Sequence, residues 1–196
     1  TMAESAAAIR SAGITDFGVT DHLHTPLNIP DIEASRREFE ALQPMPGMHF
    51  GIEVSCVSEW ELAQISAGGH DDAVYGLRSG GPPDSRPALG IGAEDLKRLK
   101  AEYVVGGTHW PLYVPYERDA IIRDYHRQNM FLASNPLVDI VAHPWWWMGH
   151  WQDADGCYRG APWFDDFEHI PKSMHDDFAA AARQSETVVE INLYAV

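Results

Sequence analysis

Cysteine is scarce in this chain: 196 residues contain two, Cys56 and Cys157, with neither CxxC nor zinc-finger spacing. The pair reads as two reduced thiols in a cytoplasmic protein. Long apolar runs are missing as well. No window of about 18 residues is apolar enough for a membrane span. The opening stretch, Thr1 to Ile9, has an acidic residue and no basic region, so it lacks the build of a signal peptide. Positive charge is sparse, with 14 Lys and Arg against 29 Asp and Glu and a formal charge of −15. Such a chain repels nucleic-acid backbone unless metal ions or a local basic patch intervene. No GxSxG, Walker A, GxGxxG or HExxH pattern occurs, which leaves nucleophile-elbow, P-loop, Rossmann and zincin chemistries unsupported.

What the chain does have is core. An apolar fraction of 45% and seven Trp argue against disorder, and the length suits one domain over 1–196. It begins on Thr1 directly in helical sequence, as a piece of a longer gene product would. Helices are predicted over 3–11, 31–42 (capped by Asp31), 58–65, 93–101, 117–132 and 173–184. Strands are predicted over 14–20, 48–54, 103–108, 137–142 and 187–193. This alternation implies an α/β fold with parallel pairing. The Gly-, Pro- and Asp-rich stretch 67–92 reads as a lid or insertion, and 144–171 as a second irregular segment.

Four of the apolar runs end at a metal-type ligand. Ile14 to His22 closes on Thr20-Asp21-His22, His49 to Glu53 on Gly51-Ile52-Glu53, Tyr103 to His109 on Gly107-Thr108-His109, and Val138 to Pro144 on Ala142-His143-Pro144. A His or Glu ending strand after strand describes a barrel of parallel strands whose C-terminal rim carries the chemistry. Imidazole and carboxylate converging there form the ligand set of a divalent-metal site. Pro144 biases His143 toward the extended backbone of a strand end.

These motifs, with Val189-Glu190-Ile191-Asn192, resemble the PHP (polymerase and histidinol phosphatase) family in content and order across nearly the whole chain. The resemblance implies a distorted seven-stranded (β/α) barrel, a three-metal site and phosphoesterase activity, a hydrolase that works through metal-bound hydroxide. The family's first strand, with Asp-x-His-x-His, and its last, with Asp-x-His, are not in this sequence. The expectation is therefore an incomplete barrel of about five parallel strands. By the resemblance Glu53 bridges two metals, His109 and His143 bind one of them, and His22 helps hold a third. The missing motifs would leave Glu53, His109 and His143 as the complement of a single ion, with zinc, manganese and iron all suited to it.

Around this set, Asp21 is expected to orient His22 rather than bind metal. His24 reads equally as a substitute ligand or a loop histidine. Asn192 belongs at the mouth of the site, positioning substrate or water, or else caps its strand. The run Trp145 to Trp151 can wall a pocket, with Trp145 and His150 at the substrate, or pack against a neighbouring subunit. Arg118, Arg123 and Arg127 are the candidate phosphate cations. His49 reads as structural, and His70, His126, His169 and His175 as surface. The expected substrate is a small-molecule phosphoester. Two rivals stand beside this reading. One is an amidohydrolase-like C–N hydrolase, for which Lys97, Lys100 and Lys172 offer no strand-end lysine. The other is a non-catalytic metal- or ligand-binding module. The apolar edges 14–20 and 187–193 lack protective Lys or Pro, so a homodimer, or cover by the two irregular segments, is expected.

Overall fold

The computed structural model describes residues 1–42, 46–70, 72, 74–145 and 167–190. Among the described residues six strands and six α-helices alternate: α1 (Met2–Ser11), β1 (Phe17–Leu23), α2 (Ile29–Ala41), β2 (Met48–Ser58), α3 (Glu59–Ser66), β3 (Pro87–Leu89), α4 (Ala93–Leu99), β4 (Tyr103–Gly107), α5 (Arg118–Ala133), β5 (Ile140–Ala142), α6 (Lys172–Gln184) and β6 (Val188–Val189). Five strands form a parallel sheet in the order β1-β2-β4-β5-β6, and the short β3 pairs antiparallel with the end of β2. The order follows the chain without doubling back, unlike a doubly wound sheet. Among the described residues no helix is long and apolar enough to cross a membrane.

Several boundaries differ from the sequence expectation, each for a local reason. The first strand starts at Phe17, three residues late, because Gly13 and Gly47 take positive φ and the Phe17 N–H joins the Gly47 carbonyl. Helix α2 begins at Ile29 rather than at Asp31, with a proline in its first turn, where a missing N–H costs nothing. Strand β2 runs four residues beyond Val54, since Ser55 to Ser58 are fully buried and Cys56 to Ser58 pair with Pro87–Leu89. That pairing puts a strand inside the stretch 67–92. Ser58 caps α3 through the Glu61 N–H, as its spacing predicts, but the Glu61 carboxylate turns inward to Arg78.

The two faces of the sheet carry different chemistry. One face presents Phe50, Ile52, Val54 and Val104 to Ala6 of α1, Ile32 and Phe39 of α2 and Leu99 of α4. Farther along, Cys56 and Val141 pack with Leu132 of α5 and Phe178 of α6. Burial pushes the Cys56 thiol well above its ordinary pKa, so it is an inert part of this core. Burying each large apolar side chain contributes roughly 1.5–3 kcal/mol.

The opposite face bears Gly18, Thr20 and His22 of β1, all exposed, and Gly51, Glu53 and Ser55 of β2. Register aligns His22 with Glu53 and Glu53 with Val105. Lower down, Tyr103 lies across Gly18 and Gly51, where a Cβ on either glycine would overlap its ring. Glycine is required there because an aromatic ring occupies the space of two side chains. Gly51→Ala should therefore cost about 1–3 kcal/mol by overpacking. Urea unfolding should show the double variant with Tyr103→Ala losing less stability than the two single losses summed.

Candidate metal centre

Glu53 stands at the middle of the site. Its Oε1 lies 3.1 Å from His109 Nε2, 3.2 Å from His22 Nε2 and 3.4 Å from His143 Nε2. Each imidazole comes from the C-terminal end of a different strand, β1, β4 or β5. His22, Glu53 and His109 each place one donor atom within 4.8 Å of the others. The separations suit a cation. Bonds of about 2.0–2.2 Å to a four- to six-coordinate ion imply ligand–ligand edges of about 2.8–3.6 Å.

The electrostatics are lopsided. Burial would raise the Glu53 pKa, yet hydrogen bonds from His109, His143 and His22 hold it far below the carboxylate range. His22 is raised, first by its hydrogen bond to Glu53, and its side chain is 51% exposed. His109 is lowered by burial, being 1% exposed, and is kept neutral. Of these two rings His22 is the more readily protonated.

Close approach of the rings depends on a missing side chain. A Cβ on Gly107 would lie 2.7 Å from His109 Cε1 and 3.2 Å from His143 Cε1. His143 adopts φ +32°, a conformation unusual for a side-chain-bearing residue, and its N–H donates to the Glu190 carboxylate at 2.8 Å. Asn129 of α5, fully buried, ties the two ligand loops together. It accepts from Thr108 Oγ1 at 2.9 Å, and its amide nitrogen donates to the Pro144 carbonyl. Asp124 holds the next stretch through the Leu112 N–H at 2.7 Å, while Gln128 donates to both Asp124 and the Trp110 carbonyl.

On the β1 side, Asn28 does the corresponding work. Its Oδ1 accepts from the N–H groups of His24 and Thr25, and its Nδ2 donates to the His22 carbonyl at 2.7 Å. Asp21 faces α2, taking its own neighbour's N–H and the Ser35 hydroxyl, and makes no hydrogen bond to the His22 ring. His24 is buried among Tyr75, Trp110, His22 and His109, with ring centroids 5.0 to 5.5 Å away. Burial, together with the charges of His109, His22 and Arg78, lowers its pKa to about 3. Its Nδ1 is 2.6 Å from Ser55 Oγ, which is also 2.6 Å from His109 Nδ1.

The remaining expected residues fall elsewhere. Trp145 is 5% exposed and packs with Ile121, Ile122, Tyr125 and Ile170, stacked on His126, not among the rings around Glu53. His49 pairs with Glu102 and Asp16 near the start of β2. Arg127 is bound to Asp124 and to the Ser85 carbonyl, Arg118 to Asp119 on the surface, and Arg123 is exposed. The Arg78 guanidinium, 3.6 Å over the Trp110 ring and bonded to Glu61, acts electrostatically on His24. Asn192, His150, Trp146, Trp147 and Cys157 lie outside the described residues.

Comparison with profiles of protein families, with curated proteins and with solved structures returns no match for this chain. Two outcomes test the geometry. Asn129→Ala leaves Thr108 and the Pro144 carbonyl unpaired and should cost about 1–3 kcal/mol, read by urea unfolding. The depressed His24 pKa stabilises the fold above about pH 6.5, the unfolded-state value, and that stability is lost as pH falls toward 3. In metal-free protein, His24→Phe should flatten the acid limb of stability against pH by up to about 1.4 kcal/mol per pH unit.

Proposed function

We propose that this chain is a metal-dependent phosphoesterase of the PHP type, an open part of the barrel that its strand-end motifs imply. The observation that carries the reading is the convergence of three imidazole Nε2 atoms on one carboxylate oxygen. It lies on the face that the clustered helices leave free, at the ends of parallel strands. The unreversed strand order and the one-sided helix cover both suit the wall of a barrel. The donor set of histidines and carboxylate suits zinc, manganese or iron. When bound, such an ion would lower the pKa of a water to around 7 and polarise a phosphoryl oxygen.

The chain's own residues prepare for that chemistry. Glu53 stays ionised across the physiological range and offers Oε1 to the common point. His109 and His143 enter from strand ends fixed by Asn129, so their Nε2 atoms are directed at Glu53 before any ligand arrives. Arg78 brings a positive charge to the side of the site beside His24 and Trp110, where an anionic substrate needs one. The amidohydrolase alternative lacks its lysine: Lys97 is in α4, Lys100 at the C-terminal cap of α4, and Lys172 in α6.

Among the described residues His22, Glu53 and His109 form the one cluster of metal-type donors, with His143 joining through Glu53, which suits a single ion. Elemental analysis should therefore give close to one equivalent of zinc or manganese per chain. Glu53→Gln should lose the metal and at least about 100-fold of any turnover of a chromogenic phosphate ester. Metal binding with no hydrolysis of mono- or diesters would favour a non-catalytic binding module, and absence of metal would defeat the reading altogether.

A further inference from the structure

Ser55 contributes one hydroxyl proton to two imidazole contacts, 2.6 Å to His109 Nδ1 and 2.6 Å to His24 Nδ1. A hydroxyl that donates to one ring must accept from the other. The arrangement is completed at the far side of His109, where Nε2 is 3.1 Å from Glu53 Oε1. In the metal-free protein that contact needs a proton, so neutral His109 carries its hydrogen on Nε2. Its Nδ1 is then an acceptor, Ser55 donates to it, and Ser55 in turn accepts from His24 Nδ1–H. The outer nitrogen of His24 is left with a lone pair.

We infer that Ser55 couples metal occupancy at His109 to the tautomer of His24, making His24 a hydrogen-bond donor toward ligand only when the centre is loaded. The inference rests on the metal-site reading above. Ligation by His109 Nε2 removes the proton from that nitrogen, so the hydrogen of the neutral ring must sit on Nδ1, where it donates to Ser55 Oγ. The Ser55 hydroxyl then turns to His24 Nδ1, which has given up its proton, and His24 takes one at Nε2 in place of the one released at His109. One proton leaves at His109 Nε2, two shift by one contact each, and one is taken up at His24 Nε2. Net charge on the Ser55, His109 and His24 set is unchanged, and only the hydrogen-bond direction reverses.

The reversal matters because of where His24 sits. No hydrogen bond among the described residues takes its Nε2. Its ring is flanked by Tyr75 and Trp110, with the Arg78 guanidinium stacked on the latter. An oxyanion beside the centre would meet a donor in the loaded protein and a repelling lone pair in the metal-free one. Ser55 is then a positioning residue acting through His24, and binding is ordered, with the cation first and the anion second.

Long-range proton–nitrogen NMR on uniformly labelled protein reads imidazole tautomers directly, with and without one equivalent of Zn²⁺. The expected result is His24 in the Nδ1–H form without zinc and in the Nε2–H form with it. In Ser55→Ala the His24 tautomer should no longer respond to zinc, and zinc affinity should fall about 10- to 100-fold, as for other residues that support a ligand. Zinc uptake with an unchanged His24 tautomer overturns the coupling and leaves the metal reading standing. A metal-responsive His24 in Ser55→Ala overturns the assigned route. Absence of zinc uptake in the wild type defeats both, and the metal content identifies that case.

Discussion

A carboxylate that must remain charged at the margin of the interior governs this structure. Burial works against ionisation of Glu53, and three imidazoles from three other strands outweigh it. That balance holds only if β1, β2, β4 and β5 keep their register, because each strand delivers one member of the cluster. The apolar face beneath is therefore more than a source of stability. Phe50, Ile52 and Val54 lock β2 against the helices while Glu53 and Ser55 project from its other side. Sheet and site are two consequences of one alternation in the chain.

The loops above the sheet are held by buried polar side chains rather than by apolar packing alone. Asn28, Asn129, Asp124 and Gln128 each span two or more backbone or side-chain partners, and all four are buried. In a low-dielectric setting such networks are strong when fully satisfied and costly when broken. The segments carrying His22, His109 and His143 consequently cannot drift separately without exposing unpaired groups.

Much of this was legible because two signals coincide in the sequence. Apolar runs of strand length mark β1, β2, β4 and β5, and a His or Glu at their ends marks one rim. The three residues expected at a common point, Glu53, His109 and His143, are brought together, and His22 shares their carboxylate oxygen rather than standing apart. The supporting residues left no comparable trace. Asn28 and Arg78 sit in stretches whose polar composition looks like turn or loop, Ser55 falls one residue past the expected strand end, and only the fold reveals that they face inward. His24 had two readings of equal weight, and burial beside Ser55 removes the solvent-facing one. Trp145 illustrates the opposite ambiguity. A tryptophan next to a ligand suits a pocket wall, but Ile121, Ile122 and Tyr125 of α5 offer it an apolar bed on the helix side. The strand ends at Ala142, so alternation no longer assigns Trp145 a side of the sheet.

Exposure across the cluster is graded, from 51% at His22 to 1% at His109. Solvent therefore touches the cluster from the β1 side, at a ring held by one contact to Glu53, while the β4 ring is sealed beneath it. An ion held there would be reached by a competing ligand at His22 before His109.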